Sequence, residues 1–420
     1  MRIIYWTLTL TLLAGISSMK GFASVWEDTQ SWSVQYEEEY SQWVSSNKVF
    51  EGIFVDKSSP YYGIKVDCAD TAYAFRAIFA YEHSLPFAVK DPSGSRSNSL
   101  LSNKSKMWDK IPLGTKRLIA MLNDLGEMIG TENLAHFDSY PQAIADVSPG
   151  SVFMYKISPS PDKYIRHTYN IKNINLVGTF DTIYSTQANK AQGLPLIRKK
   201  EFEFSHAPQS PWGFKRIRWP EHIGKEIAQL PPELKASTSQ YDQAVSLGEA
   251  GFFKHVKKTL AKTNETKAEK VKRLFKMSCS ESVARIDYIN QALVALKSSN
   301  NACMDYANFD AYSTPSRDKA LKEFYAEFKE AYAELKTAKE LNSVSPDFLG
   351  HLETIFDNNS DGEAALLKAC PINYRPGVSI SMATLYKRIE ANRLSSHPND
   401  TVEIRWGEKT DPKTNCKAWY

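Results

Sequence analysis

Cys68 is the residue of this chain best placed to do chemistry. It follows Tyr61-Tyr62-Gly63-Ile64-Lys65-Val66-Asp67, and it opens the run Ala69-Asp70-Thr71-Ala72-Tyr73-Ala74-Phe75-Arg76, which continues to Phe79 with apolar residues at helical spacing. A thiol in the first turn of a helix sits among unpaired N–H groups at the positive end of the dipole, an environment that favours the nucleophilic thiolate. Further along, Tyr164-Ile165-Arg166-His167-Thr168-Tyr169-Asn170-Ile171 reads as a strand that carries a histidine. A cysteine nucleophile with an imidazole partner is equipped for amide hydrolysis. The thiolate attacks the carbonyl, the imidazolium protonates the leaving amine, and the Cys68 N–H helps to hold the oxyanion.

Such a pair needs a third polar group to orient the imidazole, normally from the next antiparallel strand. With a hairpin turn over Asn175-Leu176-Val177-Gly178, the residue facing His167 falls at Ser185, and Gln187 lies one step along the same face. Asp181 would suit the chemistry better but requires a shorter hairpin. Asp67 and Asp70 read as caps of the helix start rather than as acting groups.

Several elements must position these residues. Trp26, Trp32, Tyr36, Tyr40 and Trp43 recur at spacings that predict a helix laid on a core, and the cysteine helix should end before Leu85-Pro86. Asp91 to Lys106 is a loop rich in Ser, Asn and Lys, and Leu113 to Ile129 is a second amphipathic helix. Strands follow at Ser151–Tyr155, Ile165–Ile174, Thr179–Ser185, Lys200–Phe204 and Phe214–Trp219. Helices followed by an antiparallel sheet of this kind define an α+β domain. From about residue 223 the chain is helical and more charged. Lys254 to Lys276 carries nine Lys/Arg against two Glu, and Ser282–Leu296 and Lys319–Leu341 are further helices. The expected division is a leader at 1–23, an α+β domain at 24–222 and a helical domain at 223–420.

The chain has 420 residues, 42% of them hydrophobic and 24% charged, with a net charge of +4, which is too small to imply nucleic acid. Arg2, the apolar run Ile3–Ile16 and the small residues around Gly21-Phe22-Ala23 read as a secretory signal cleaved near Ala23. A periplasmic or secreted protein without a membrane segment in its mature chain is expected. Five cysteines in an oxidising compartment leave one unpaired. Pairing Cys279 with Cys303 and Cys370 with Cys416 leaves Cys68 free. Asp357-Asn358-Asn359-Ser360-Asp361-Gly362 begins like a calcium loop, but Lys368 stands where a bidentate Glu is required, so it reads as a turn. No zinc spacing and no phosphate-binding glycine loop is present, and neither cofactor nor metal is expected. The basic stretch 254–276 reads as a solvated helix face that could also hold an anionic polymer.

Asp67-Cys68-Ala69-Asp70 at a helix start, with Tyr61-Tyr62-Gly63 upstream, resembles the Asp-Cys-Ser-Gly motif of the NlpC/P60 family of bacterial cell-wall cysteine peptidases. Ser148-Pro149-Gly150-Ser151-Val152-Phe153 resembles that family's Pro-Gly-Asp-Leu strand, and His167-Thr168-Tyr169-Asn170-Ile171 its His-Val-Gly-Ile-Tyr strand. The order, cysteine helix before histidine strand, is that of papain-like hydrolases. The likeness spans roughly residues 50 to 190. Ala69 and Asp70 replace the usual Ser and Gly, and the tyrosine-to-cysteine spacing is compressed. The resemblance implies a papain-like fold, hydrolysis of amide bonds in peptidoglycan stem peptides through Cys68 and His167, and Tyr61 or Tyr62 near the oxyanion. A papain-like protease or amidase acting on protein is the other enzymatic reading. A non-catalytic envelope protein that keeps the fold for binding, its helical half engaging a partner, is the third.

Overall fold

The computed structural model describes residues 24–93, 99–160, 163–186 and 193–419. The leader at 1–23 and Gln187 lie outside them. In chain order the first elements are α1 (Val34–Ser45), α2 (Cys68–Glu82), the two-stranded ribbon β1 (Ala88–Lys90) and β2 (Leu100–Ser102), and α3 (Thr115–Met128). A short turn α4 (Thr131–Asn133) then runs into a π-turn at Leu134–Asp138. The sheet strands are β3 (Ser139–Pro141), β4 (Val152–Ser160), β5 (Lys163–Ile174), β6 (Phe180–Tyr184), β7 (Ile197–Phe202) and β8 (Phe214–Ile217). They form one antiparallel sheet in the order β3-β8-β4-β5-β6-β7. After it come α5 (Ser239–Leu260), α6 (Lys267–Ser298), α7 (Tyr306–Tyr312), α8 (Pro315–Thr337), α9 (Pro346–Phe356) and α10 (Glu363–Ala369). A ribbon of β9 (Ile372–Arg375) and β10 (Val378–Ile380), α11 (Met382–Glu390) and α12 (Val402–Arg405) close the chain. The expected α+β class stands, with a six-stranded sheet. Of the sheet's strands the one missed in sequence is β3, three residues long and ending in Pro141, too short for alternation to register; the short ribbons β1–β2 and β9–β10 were not foreseen either, and β2 lies within the 91–106 stretch expected to be a loop.

Both faces of the sheet are buried. Val152, Met154 and Ile183 pack with Ala72 and Phe75 of α2 and with Leu118 and Leu122 of α3. Phe153, Ile171 and Phe180 face the other way and pack with Phe252 and Val256 of α5, Leu274 of α6 and Phe328 of α8. Each such aromatic or branched side chain contributes about 2 kcal/mol by leaving water. The second core thus runs through position 222, where a domain boundary was expected, and the helices that follow serve as the sheet's other cover. The β5–β6 hairpin seals this joint. The Leu176 carbonyl accepts from Lys262 N at 2.8 Å and Thr263 N at 3.0 Å, and a Cβ on Gly178 (φ +82°) would lie 2.1 Å from the Lys257 carbonyl oxygen, so only glycine fits.

The helical half corrects three expectations. Ser282–Leu296 is not a separate helix but the second half of α6. The disulfides are Cys279–Cys370 and Cys303–Cys416, not Cys279–Cys303 and Cys370–Cys416. Cys279 sits mid-way along α6 and Cys303 beyond its end, roughly 25 Å or more apart at the helical rise, far outside disulfide reach. The basic stretch 254–276 is broken between α5 and α6 and is substantially ion-paired. Lys257 and Arg273 both meet Glu203 and Glu265, Lys267 meets Glu340, and Lys270 meets Glu334. The 357–362 segment is a turn, its Asp357 carboxylate taken by Tyr332 and Lys336. Among the described residues no helix is long and apolar enough to cross a membrane.

Candidate functional site

Cys68 is the first residue of α2, and the helix starts there because Asp67 caps it. The Asp67 carboxylate accepts from Ala69 N at 3.0 Å and Asp70 N at 3.1 Å, while Asp67 N donates back to Asp70 Oδ2 at 3.0 Å. This reciprocal cap is the structural role expected of both aspartates. It also places two carboxylates around the sulfur. Cys68 is the one free cysteine, half-buried, with Sγ 3.5 Å from Thr131 Oγ1 and against the backbone N–H of Thr168. Burial first, then the Asp67 charge, push its thiol up to about 11. The helix dipole was expected to yield a thiolate. Desolvation and the capping carboxylates outweigh it, and the group is a thiol at neutral pH.

His167 lies on β5 beside Thr168, so the structure brings it to the strand that meets Cys68. It does not bring the imidazole to the sulfur. Side chains alternate along a strand. Thr168, Asn170 and Lys172 turn to the α1–α2 side, where Lys172 Nζ donates to Val44 O, Ser46 O and Val49 O at 2.9, 2.8 and 2.7 Å. His167 takes the opposite set with Tyr169 and Ile171, and its ring lies 4.4 Å from that of Tyr169, 5.1 Å from Tyr184 and 6.0 Å from Tyr155, its cross-strand partner. Its Nε2 is buried without a hydrogen-bond partner. Burial, then the charges of Arg317 and Lys199, lower its pKa to about 3. It is a neutral imidazole in an aromatic nest, not the imidazolium of an ion pair.

The remaining expected residues separate further. Ser185 is buried on the Thr168 side, not the His167 side, and its hydroxyl donates to Val66 O at 3.0 Å, tying the end of β6 to the segment that feeds α2. Extending the pairing Asn170↔Ile183 puts Thr186 across from His167, and Thr186 Oγ1 accepts from Arg317 at 2.9 Å. Asp181 pairs with Asn173, far down the ladder, and accepts from Asn175 and the backbone of Glu201. Tyr61 donates to Glu82 at 2.5 Å, at the opposite end of α2 and so about 20 Å from Cys68 by helical rise. Tyr62, beside it, is 48% exposed. No oxyanion role follows for either.

Beyond Cys68 on the same sheet face lies a polar ridge that sequence reasoning did not pick out. Met154↔Thr168 is followed, two residues outward, by Lys156↔Arg166. Both cations meet Glu132, next to Thr131, and His136 Nε2 stands 3.1 Å from the same carboxylate. Against its partial burial, Lys156 and Arg166 hold Glu132 below its ordinary pKa. Tyr164, 52% exposed, lies 4.7 Å from Lys156 Nζ by its ring centre. Three cationic or basic groups share one carboxylate, leaving a local positive excess beside exposed aromatic surface. The alternation Tyr164-Ile165-Arg166 on one strand, with Lys156 on its partner, was the available signal. Among the described residues no group of three or more His, Cys, Asp or Glu could hold a metal ion.

No family model, curated protein or solved structure matches this chain.

Proposed function

We propose that the chain is an exported envelope protein that uses a papain-like, NlpC/P60-type helix-and-sheet core to bind cell-wall peptides rather than to cleave them. Strand register carries the reading: Cys68 meets Thr131 Oγ1 and the Thr168 N–H, while the neighbouring His167 turns to the other face. A thiol near 11 with no base in hydrogen-bond reach lacks both requirements for nucleophilic catalysis. The Lys156–Arg166–His136 ridge with Tyr164 supplies what recognition of an anionic peptide needs, cations beside a flat apolar ring. Two disulfides and the signal-like leader support an oxidising, extracytoplasmic setting.

The hydrolase reading stands second on one observation. Cys68 and His167 flank the same backbone unit, that of Thr168, so a local shift of β5 by one residue would turn the imidazole toward the sulfur. Incubation with purified sacculi separates the two. The binding reading expects the wild-type chain to sediment with sacculi, Arg166→Glu to sediment several-fold less, and neither wild type nor Cys68→Ala to release muropeptides. Release by the wild type and not by Cys68→Ala would overturn it in favour of the hydrolase. Neither sedimentation nor release would remove the cell wall as ligand.

A further inference from the structure

The sheet ends at β7, and among the described residues no strand lies outside it. A groove of about 1160 Å³ borders the start of this strand. Register shows that it follows the sheet's edge rather than either face. Ile197 shares a face with Lys199, which meets Glu281 of α6 at 2.7 Å, whereas Arg198 pairs across with Ile183, which packs with α2 on the other side. Both Ile197 and Arg198 line the groove, with Glu51 from the segment after α1 and Tyr288 from α6. One wall is therefore strand backbone. Alternate N–H and C=O groups of an outer strand point away from the sheet and have no ladder partner. Just before β7, Leu196 N is already taken in this way by Glu51 O at 2.8 Å.

The other walls are apolar and acidic. Val294 of α6 is 70% exposed in the groove, and Leu194 and Ile197 are half-buried there. Of the charged groups that line it, Arg198 is paired with Asp181 at 3.4 Å, and Glu51 acts on Lys172. Asp305 caps α7 by accepting from Asn308 N at 2.9 Å. Behind the lining, Arg317 stacks 3.9 Å from the Tyr288 ring. That leaves four carboxylates against three cations, and Asp287, exposed on α6, has no ion pair among the described residues. The volume exceeds the roughly 300–1,000 Å³ of small-molecule sites. An edge of unpaired backbone, an exposed valine and an unmatched carboxylate suit a chain in extended form.

We propose that this groove takes an extended peptide segment of a partner protein, added as a strand to the outer edge of β7 and carrying alternate apolar and basic side chains. Main-chain pairing with β7 supplies affinity, while contacts with Val294 and Asp287 supply selectivity. The groove lies on β7 and α6 and the Lys156–Arg166 ridge on β4 and β5, so the inference stands apart from the cell-wall reading.

Fluorescence anisotropy of a dye-labelled octapeptide of alternating Lys and Val, titrated with the full chain at pH 7, tests this. The peptide is expected to bind, roughly tenfold or more tightly than an octapeptide of alternating Glu and Val, and Asp287→Lys should reverse that order. Asp287 and Val294 are exposed, so Asp287→Lys and Val294→Glu are expected to fold. N-methylation of every second residue blocks one edge of a strand. Of the two possible phases, one should bind roughly tenfold more weakly than the other. Arg166→Glu should bind the Lys/Val peptide as the wild type does. Absence of binding, equal binding of the Lys and Glu peptides, or equal binding of the two N-methylated phases would overturn the proposal. A dimer of the free chain that Val294→Glu dissociates would put a second copy in the groove and overturn it too.

Discussion

Alkylation of Cys68 offers the most direct reading of the site, because the other four cysteines are paired and only one thiol can react. A rise from 9.0 to about 11 lowers the thiolate fraction at neutral pH about a hundredfold. A more basic thiolate is also a better nucleophile, by roughly eightfold for two pKa units at a Brønsted slope near 0.45. The two effects together leave Cys68 about tenfold slower toward iodoacetamide at pH 7.5 than the same residue in the unfolded chain. The sharper observable is the pH profile. The rate should climb steadily from pH 7 to pH 10 without a plateau, since the carboxylates of Asp67 and Asp70 and the burial at the start of α2 remain in place. The assay is mass spectrometry of the single adduct over time, with the denatured chain as reference. A rate already flat below pH 7 would mean a thiolate paired with an imidazolium, and would refute the assignment of Cys68 as a neutral, uncoupled thiol.

Two further predictions concern what holds the site's elements together. Glu37 of α1, nearly buried, accepts from Arg76 of α2, from Arg216 Nε at 2.7 Å and from Trp219 Nε1 at 2.7 Å; against the cost of burial, the two arginines lower it from 4.5 to about 2. A depressed carboxylate pKa contributes stability present above pH 4.5 and lost as pH falls through 2, here on the order of 3 kcal/mol. Urea unfolding should therefore show wild type losing stability from pH 5 to pH 2. Glu37→Gln should cost about 3–5 kcal/mol at pH 7 by leaving Arg76 and Arg216 unpaired; a cost under about 1 kcal/mol would sink the argument. Lys172 ties the end of α1 to the turn after it through the carbonyls of Val44, Ser46 and Val49, so Lys172→Met should destabilise by about 1–3 kcal/mol, read in the same unfolding experiment. Burial lowers Lys172 to about 8, so that its charged form is disfavoured by folding. The wild type should accordingly gain stability from pH 8 to pH 10, and Lys172→Met should not.

The α+β class, the start of α2 at Cys68, its end before Leu85-Pro86, the β5–β6 hairpin and the unpaired state of Cys68 were all legible in the sequence, because each rests on a local signal. Asp67 with Asp70 is a cap four residues wide, and Asn175–Gly178 is a turn of the same width. Partner choice at long range was not legible. Whether Cys279 joins Cys303 or Cys370 depends on α6 running unbroken past Ser282, and no residue near that point announces it. The ridge of Lys156, Arg166 and Glu132 likewise needs β4, β5 and α4 to be adjacent before its charges can be added up.

The face of the sheet on which His167 falls shows why the site was the harder inference. In His167-Thr168-Tyr169-Asn170-Ile171-Lys172 the odd positions are aromatic or apolar and the even ones polar. On a sheet with one wet face, that alternation would send the odd set inward against the helices. Here both faces are covered, so alternation fixes that the two sets part company but not which cover each receives. The second cover comes from α5, α6 and α8, and their side offers Phe204, Phe214 and Phe252. The odd set, Tyr169 and Ile171 with it, goes there. The even set turns to α1 and α2, where Lys172 finds three carbonyl oxygens at the end of α1 and Thr168 lies under Cys68. His167 follows its own alternating set, and that set is decided by helices that begin seventy-two residues after it in the chain. A catalytic pairing inferred from residues 50 to 190 alone could not have seen them.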